Sequence, residues 1–134
     1  MKAIGYFYTG FNYLQKKFGR FKLGETGQKR LNDRLSVIRN AEGGFQCLGY
    51  LILKRATKAE RLFIEAYSRM MMERNPQLTN VQNDHFIYDI IKGQKYEQAY
   101  DFAQQALAYA MKACDIAGVE YEIGTRAFPK KNWH

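Results

Sequence analysis

The 134-residue sequence predicts an α+β fold: a small three-stranded antiparallel sheet flanked by helices, with a C-terminal helical extension. Three observations carry this expectation. Short β-favouring runs lie near residues 3–9, 20–24 and 45–53. The segments between and after them repeat apolar residues with a helical period, so the order reads β-β-α-β-α before a further helical region begins. The length suits one hydrophobic core, and no linker, low-complexity segment or internal repeat divides it. A core over residues 1–80 and a helical extension over 81–134, packed on that core, are therefore expected to form one domain.

In the first run Ile4, Tyr6, Phe7 and Tyr8 favour a strand, and Thr9-Gly10 ends it. Residues 11–19 read as a connector containing Asn12, Lys16, Lys17 and Gly19. A second short strand over 20–24 completes a hairpin with a long loop. Gly24 to Gly27 reads as a turn. A helix over roughly 27–40 carries Leu31, Leu35 and Ile38 on its apolar side, and Gly43-Gly44 breaks it. Residues 45–53 are almost continuously apolar, as a central strand would be. Thr57 and Glu60 form a capping-box pattern that opens the next helix. The expected buried stripe of that helix is Leu62, Phe63, Ala66, Tyr67, Met70 and Met71. Asn75-Pro76 ends it. Residues 76–84 read as a polar loop, and His85 to Ile91 as a short helix. A long helix over 95–117 lines up Ala99, Ala103, Ala106, Ala110, Ala113 and Ala117, a row of small residues that admits close approach of another element. Gly118 stops it. Val119 to Ile123 is a candidate for a last strand, and a basic tail runs from Arg126 to His134.

The chain carries a net charge of +8, unevenly spread. Residues 1–58 hold twelve Lys/Arg against three acids, so +9; residues 81–122 hold three against seven, so −4. A basic first half points to a polyanionic partner, with nucleic acid the leading class. No apolar stretch reaches the length that spans a bilayer, and the N-terminus has no signal-type segment, so the expected location is cytoplasmic. Cys47 and Cys114 stand far apart, and neither they nor His85 and His134 have zinc-type spacing; buried free thiols are expected.

Five pieces of the sequence, taken together, resemble the GIY-YIG endonuclease superfamily. Gly5-Tyr6-Phe7-Tyr8 resembles the first signature as a phage-associated branch writes it, G-Y-x-Y. Lys22-Leu23-Gly24-Glu25-Thr26 resembles that branch's second signature, K-I-G-x-T. Arg34-Leu35, followed by Ile38-Arg39, resembles the arginine-bearing step on the first helix, with Arg30 one turn earlier as the other candidate. Glu60 to Glu65 resembles the E-x-x-x-x-E stretch in which the second glutamate binds metal. Asn80, after Pro76, resembles the downstream Pro and Asn. The resemblance covers about residues 4–80. It departs from the family pattern at Lys22, which replaces the second signature tyrosine, and in a longer spacing from Glu65 to Asn80.

The resemblance implies a metal-dependent DNA endonuclease of phage or mobile-element type that hydrolyses a phosphodiester with Mg²⁺ or Mn²⁺. Tyr8, Arg34 and Glu65 would be catalytic, with Glu65 (or Glu60) as the metal ligand. Tyr6 shares Tyr8's face of the strand by period two and would line the same cleft. Lys22, Gly24, Thr26, Arg30 and Asn80 would contact substrate. The chemistry is consistent with these types: hydrolysis needs an activated water, neutralisation of the growing phosphate charge and help for the leaving oxygen, and a divalent cation takes one or two carboxylates plus waters. A phenol with a pKa near about 10 needs adjacent positive charge to serve as a base, and Lys22 is the expected source. One such core nicks; a double-strand break needs two copies. The rival expectation is a non-catalytic GIY-YIG fold that binds nucleic acid or a host protein, with residues 95–117 as the surface for that partner or for a homodimer.

Overall fold

The computed structural model describes residues 4–12, 18–42, 44–82 and 84–124. Residues 13–17 of the expected connector, the breaker Gly43 and the basic tail from Arg126 to His134 lie outside the described residues. The elements in chain order are β1 (Gly5–Asn12), β2 (Phe18–Thr26), α1 (Leu31–Glu42), β3 (Gln46–Lys54), α2 (Lys58–Met72), β4 (Thr79–Gln82), β5 (His85–Asp89), α3 (Lys95–Ala117) and β6 (Glu120–Gly124).

The fold is α+β, but among the described residues the sheet has six strands rather than the three expected, in the order β4-β5-β2-β1-β3-β6, and every pairing among them is antiparallel. The expected polar loop over 76–84 contains β4, and the expected short helix at His85 to Ile91 is β5. In β5, Phe86 and Tyr88 are buried while Asp89 is exposed, the period-two pattern of a half-buried strand. Its neighbour β4 is exposed throughout, and pairing with β5 holds it. The boundary expected at residue 80 therefore falls inside a strand. The candidate last strand is β6, paired to β3.

The sheet buries both faces. On one, Phe7, Phe11, Phe21, Leu23, Leu51 and Leu53 pack against α2 and α3. On the other, Tyr8, Phe45 and Cys47 pack against Leu31, Leu35 and Ile38 of α1, the apolar stripe that the sequence predicts. Ala99, Ala103, Ala106, Ala110 and Ala113 of α3 are buried in the first core and the half-buried Ala117 packs against it, so that face is filled by the chain's own sheet and helix. Gly118 ends α3 in the left-handed conformation (φ 70°). Cys47 and Cys114 are buried thiols, and Cys47 Sγ donates to the Gly49 carbonyl at 3.4 Å. Among the described residues no helix is long and apolar enough to cross a membrane.

Helix α2 departs most from its expected packing. Thr57 and Glu60 form the capping box that the sequence predicts, with Glu60 N–H donating to Thr57 Oγ1 at 3.1 Å and Thr57 N–H to Glu60 Oε1 at 3.0 Å. Its buried residues, however, are Ile64, Glu65, Ser68 and Met72, while Leu62, Phe63 and Met70 face solvent. The polar members of the buried side have partners: Ser68 Oγ donates to the Ala106 carbonyl of α3 at 3.0 Å, and Glu65 pairs with Arg69. Close contact with the alanine face of α3 selects this small, partnered side over the bulkier apolar one.

Candidate active site

The cleft forms where β5 gives out. Pairing with β2 runs from Phe18↔Asp89 to Lys22↔His85, and Leu23 N–H then donates to the Asp84 carbonyl at 3.1 Å. Beyond that point Gly24 to Thr26 keep β1 on one side, and among the described residues no strand pairs on the other. Elements from both faces of the sheet meet around this bare edge. The resulting cleft holds about 280 Å³ and is lined by Tyr8, Gly24, Glu25, Arg34, Leu62, Glu65, Arg69 and Asp84.

Tyr8 reaches the cleft because its cross-strand neighbour is Gly24. A Cβ at position 24 would stand 2.6 Å from Tyr8 Oη and 2.8 Å from Cζ, so the ring can cross β2 only over a glycine. Phe45 packs edge-on against the ring with centroids 6.4 Å apart. Arg34, one turn into α1, donates Nε–H to Tyr8 Oη at 3.4 Å. Tyr8 is 1% exposed, and burial raises its pKa above the ordinary phenol value; the hydrogen bond and charge of Arg34 oppose this without reversing it. Tyr8 is thus a neutral phenol in the free protein at pH 7. Arg34, rather than the expected Lys22, supplies the neighbouring positive charge.

Glu65 enters from α2 and is 8% exposed. Its Oε2 accepts from Arg69 Nη1 at 3.4 Å, the i,i+4 partner on the same helix. Burial raises its pKa; Arg69 opposes this, and the charges of Asp84 and Glu25 add to the rise. Glu60 is occupied by the capping box and does not line the cleft.

Two further carboxylates line the cleft. Asp84, at the β4–β5 hairpin, accepts from Lys22 Nζ at 3.1 Å through Oδ2, and His85 Nδ1 lies 3.0 Å from its Oδ1. Burial would raise its pKa, but His85 and Lys22 together pull it down to about 2. Glu25 accepts from Arg61 Nε at 2.9 Å, and Arg61 also donates Nη1–H to the Ala56 carbonyl at 3.2 Å. Gly5 makes room for that arginine, since a Cβ there would stand 2.3 Å from Arg61 Cδ. The two glycines thus have separate tasks: Gly24 admits Tyr8, and Gly5 admits the arginine that neutralises Glu25.

The structure therefore brings Tyr8, Arg34, Glu65 and Gly24 into one cleft, with Lys22 held at its wall through Asp84. Others among the expected site residues are not brought there. Tyr6 packs on the same core as Tyr8, but its hydroxyl donates to the Lys29 carbonyl at 3.0 Å and it does not line the cleft. Thr26 Oγ1 accepts from Gln28 N–H at 3.2 Å and shapes the turn into α1. Arg30 is exposed just before α1 and does not line the cleft. Asn80 lies on β4, where its side chain donates to Glu73 and accepts from Gln82 N–H. Sequence reasoning missed Asp84, Glu25 and Arg69. Asp84 had no signal within a polar run, and Arg69 is visible only as the i,i+4 partner of Glu65.

Among the described residues no three His, Cys, Asp or Glu side chains form a metal cage. Glu65 nonetheless suits a hard divalent cation bound by one carboxylate and waters, because it is desolvated beside two other carboxylates, a field that a cation relieves. No family model, curated protein or solved structure matches the chain.

Proposed function

We propose that this protein is a metal-dependent DNA endonuclease of the GIY-YIG type that nicks a phosphodiester. The observation that carries the reading is the meeting of Tyr8, Arg34 and Glu65, from three different elements, around one 280 Å³ cleft. Their approach depends on a glycine within the second signature. The basic first half supplies the attraction for the polyanion.

In this reading Arg34 donates to a non-bridging oxygen of the scissile phosphate, where negative charge grows. Tyr8 acts after losing its own proton to solvent: the phenolate Oη takes the proton of the attacking water and returns to the phenol, and Arg34 beside it lowers the cost of forming that phenolate. Glu65 would hold Mg²⁺ or Mn²⁺, which when bound supplies neutralisation of phosphate charge. Lys22, on β2, is held by Asp84 of the β4–β5 hairpin and provides a second cation near the flanking phosphate. Because burial raises the Tyr8 pKa, the rate is expected to climb with pH through the neutral range and beyond.

The test is nicking of supercoiled plasmid with Mg²⁺ or Mn²⁺. Wild type is expected to convert it to open circle, and Glu65→Ala and Arg34→Ala to lose that activity. Metal-dependent nicking that survives Glu65→Ala overturns the site. One observation favours a second reading, a non-catalytic binder of nucleic acid or a host protein. Each carboxylate lining the cleft already has an ion-pair partner: Glu25 with Arg61, Glu65 with Arg69, and Asp84 with Lys22. DNA binding without nicking on any substrate selects it.

A further inference from the structure

The side of α2 that faces solvent is more apolar than the side that faces the core. At about 100° per residue, Leu62, Ala66, Met70 and Phe63 fall within an arc of about 100°. Leu62 is 45% exposed, Phe63 40% and Met70 47%. The Phe63 ring lies 6.1 Å from that of the half-buried Tyr67. This arc directly adjoins the row that lines the cleft, Leu62, Glu65 and Arg69, and Leu62 belongs to both. An apolar patch therefore runs without a break into a pocket whose three carboxylates are each paired with a cation (Glu25 with Arg61, Glu65 with Arg69, Asp84 with Lys22) and in which Arg34 donates to Tyr8 rather than to a carboxylate, on a chain whose first 58 residues carry +9.

Two features of the occupant follow. It is anionic where it meets Arg34, and it has a flat apolar group within one residue's reach of that charge. Duplex nucleic acid offers the first feature only, because its bases are stacked inside and its outer surface is phosphate, sugar and groove edges. An unpaired strand offers both, since each nucleotide couples a phosphate to a base with a free face. A second copy of the chain fits less well. The three exposed side chains offer on the order of 250 Å², against about 800 Å² per partner in a standard protein interface.

The geometry points to single-stranded or locally unpaired nucleic acid as the ligand of this cleft, with one phosphate beside Arg34 and a flanking base stacked on Leu62 and Phe63. The inference rests on the nuclease reading and narrows it: the substrate is unpaired at the cut, as at a flap, a bulge or a strand end. The salt dependence of binding comes from the phosphate contacts and the patch contributes the rest, so the two contributions separate experimentally.

The experiment is fluorescence anisotropy in EDTA with the full chain. The probes are a labelled single strand of about 12 nucleotides and the blunt duplex of the same sequence, titrated at several salt concentrations. The single strand is expected to bind at least about tenfold more tightly than the duplex. Phe63→Ala and Leu62→Ala, both at exposed positions, are expected to weaken single-strand binding about five- to fiftyfold. They should leave the slope of log K against log salt unchanged, whereas Arg34→Ala should flatten it. Equal affinity for both probes, or full affinity in both patch variants, overturns the inference and leaves the nuclease reading standing. No binding to either probe overturns both. Sedimentation of the same samples gives the last outcome: a wild-type dimer that Phe63→Ala dissolves assigns the patch to a second copy and also overturns the inference.

Discussion

Replacing Gly24 by alanine tests the central steric claim about the cleft. The new Cβ would stand 2.6 Å from Tyr8 Oη and 2.8 Å from Cζ, whereas ordinary contact begins at 3.4 Å. The phenol must therefore retreat by about 0.8 Å, the difference between 2.6 Å and 3.4 Å. It has little room, being 1% exposed and backed by Phe45. Overpacking of this kind costs about 1–3 kcal/mol, and stretching the 3.4 Å bond from Arg34 adds up to about 1 kcal/mol. The expected fall in melting temperature is about 5–10 °C for a chain of this size. If the nuclease reading holds, a shift of this size at Tyr8 lowers the nicking rate about 100-fold. A double-mutant cycle isolates the clash. In a Tyr8→Leu background the ring is gone, and Gly24→Ala is expected to cost less than about 0.5 kcal/mol. Chemical denaturation of the four proteins measures each term. An equal cost of Gly24→Ala in both backgrounds refutes the argument that Gly24 exists to admit Tyr8.

Three further outcomes follow from the ionised groups of the cleft. Burial raises the Glu65 pKa, so the folded state is penalised once this carboxyl ionises, as pH rises through and above the ordinary carboxylate range. Glu65→Gln is expected to match or exceed wild-type stability at pH 7 by up to about 1 kcal/mol, a margin that vanishes near pH 3, while nicking is lost; denaturation at the two pH values checks this. Asp84 shows the opposite sign: its pKa falls from 3.8 to about 2, so its contribution is complete above 3.8 and disappears as pH drops through about 2. Asp84→Asn should be about 1–2 kcal/mol less stable than wild type at pH 6, with the two proteins converging in acid titrations monitored by circular dichroism. Arg61→Ala strands the Glu25 carboxylate, whose side chain is 16% exposed, and should cost about 2–4 kcal/mol. Adding Glu25→Gln should recover a large part of that loss, as thermal unfolding of the pair would show.

Legibility varied by element for reasons particular residues make plain. Helix α1 was readable from Leu31, Leu35 and Ile38, because a helix on a flat sheet buries a single stripe of matching period. Helix α3 was readable to the residue, since Gly118 takes the left-handed conformation that closes it. Strand β5 carried a signal, the alternation of buried Phe86 and Tyr88, that a helix reading of so short a run obscured. Strand β4 carried none: its four residues are all exposed, and it exists because β5 offers it hydrogen bonds. Of the cleft residues, Tyr8, Arg34, Glu65 and Gly24 were marked by motif order, whereas Asp84 was invisible until β5 paired with β2 and set the hairpin beside Lys22.

By itself the sequence determined most local elements of this protein, β4 and β5 excepted: the period of α1, the Thr57–Glu60 cap, the stop at Gly118 and the basic first half. These depend on residues within a turn or two of one another, whose interactions survive in any tertiary setting. Only the tertiary structure decided how far the sheet extends, which side of α2 is buried and which charges share the cleft. The orientation of α2 shows the reason. Hydrophobicity alone favours burial of Leu62, Phe63 and Met70, yet the helix buries Ile64, Glu65, Ser68 and Met72, because the Ala106 carbonyl of α3 and Arg69 satisfy the polar groups among them. Burying a polar group is tolerable only when its partner is in place, and where distant partners stand is a property of the folded chain.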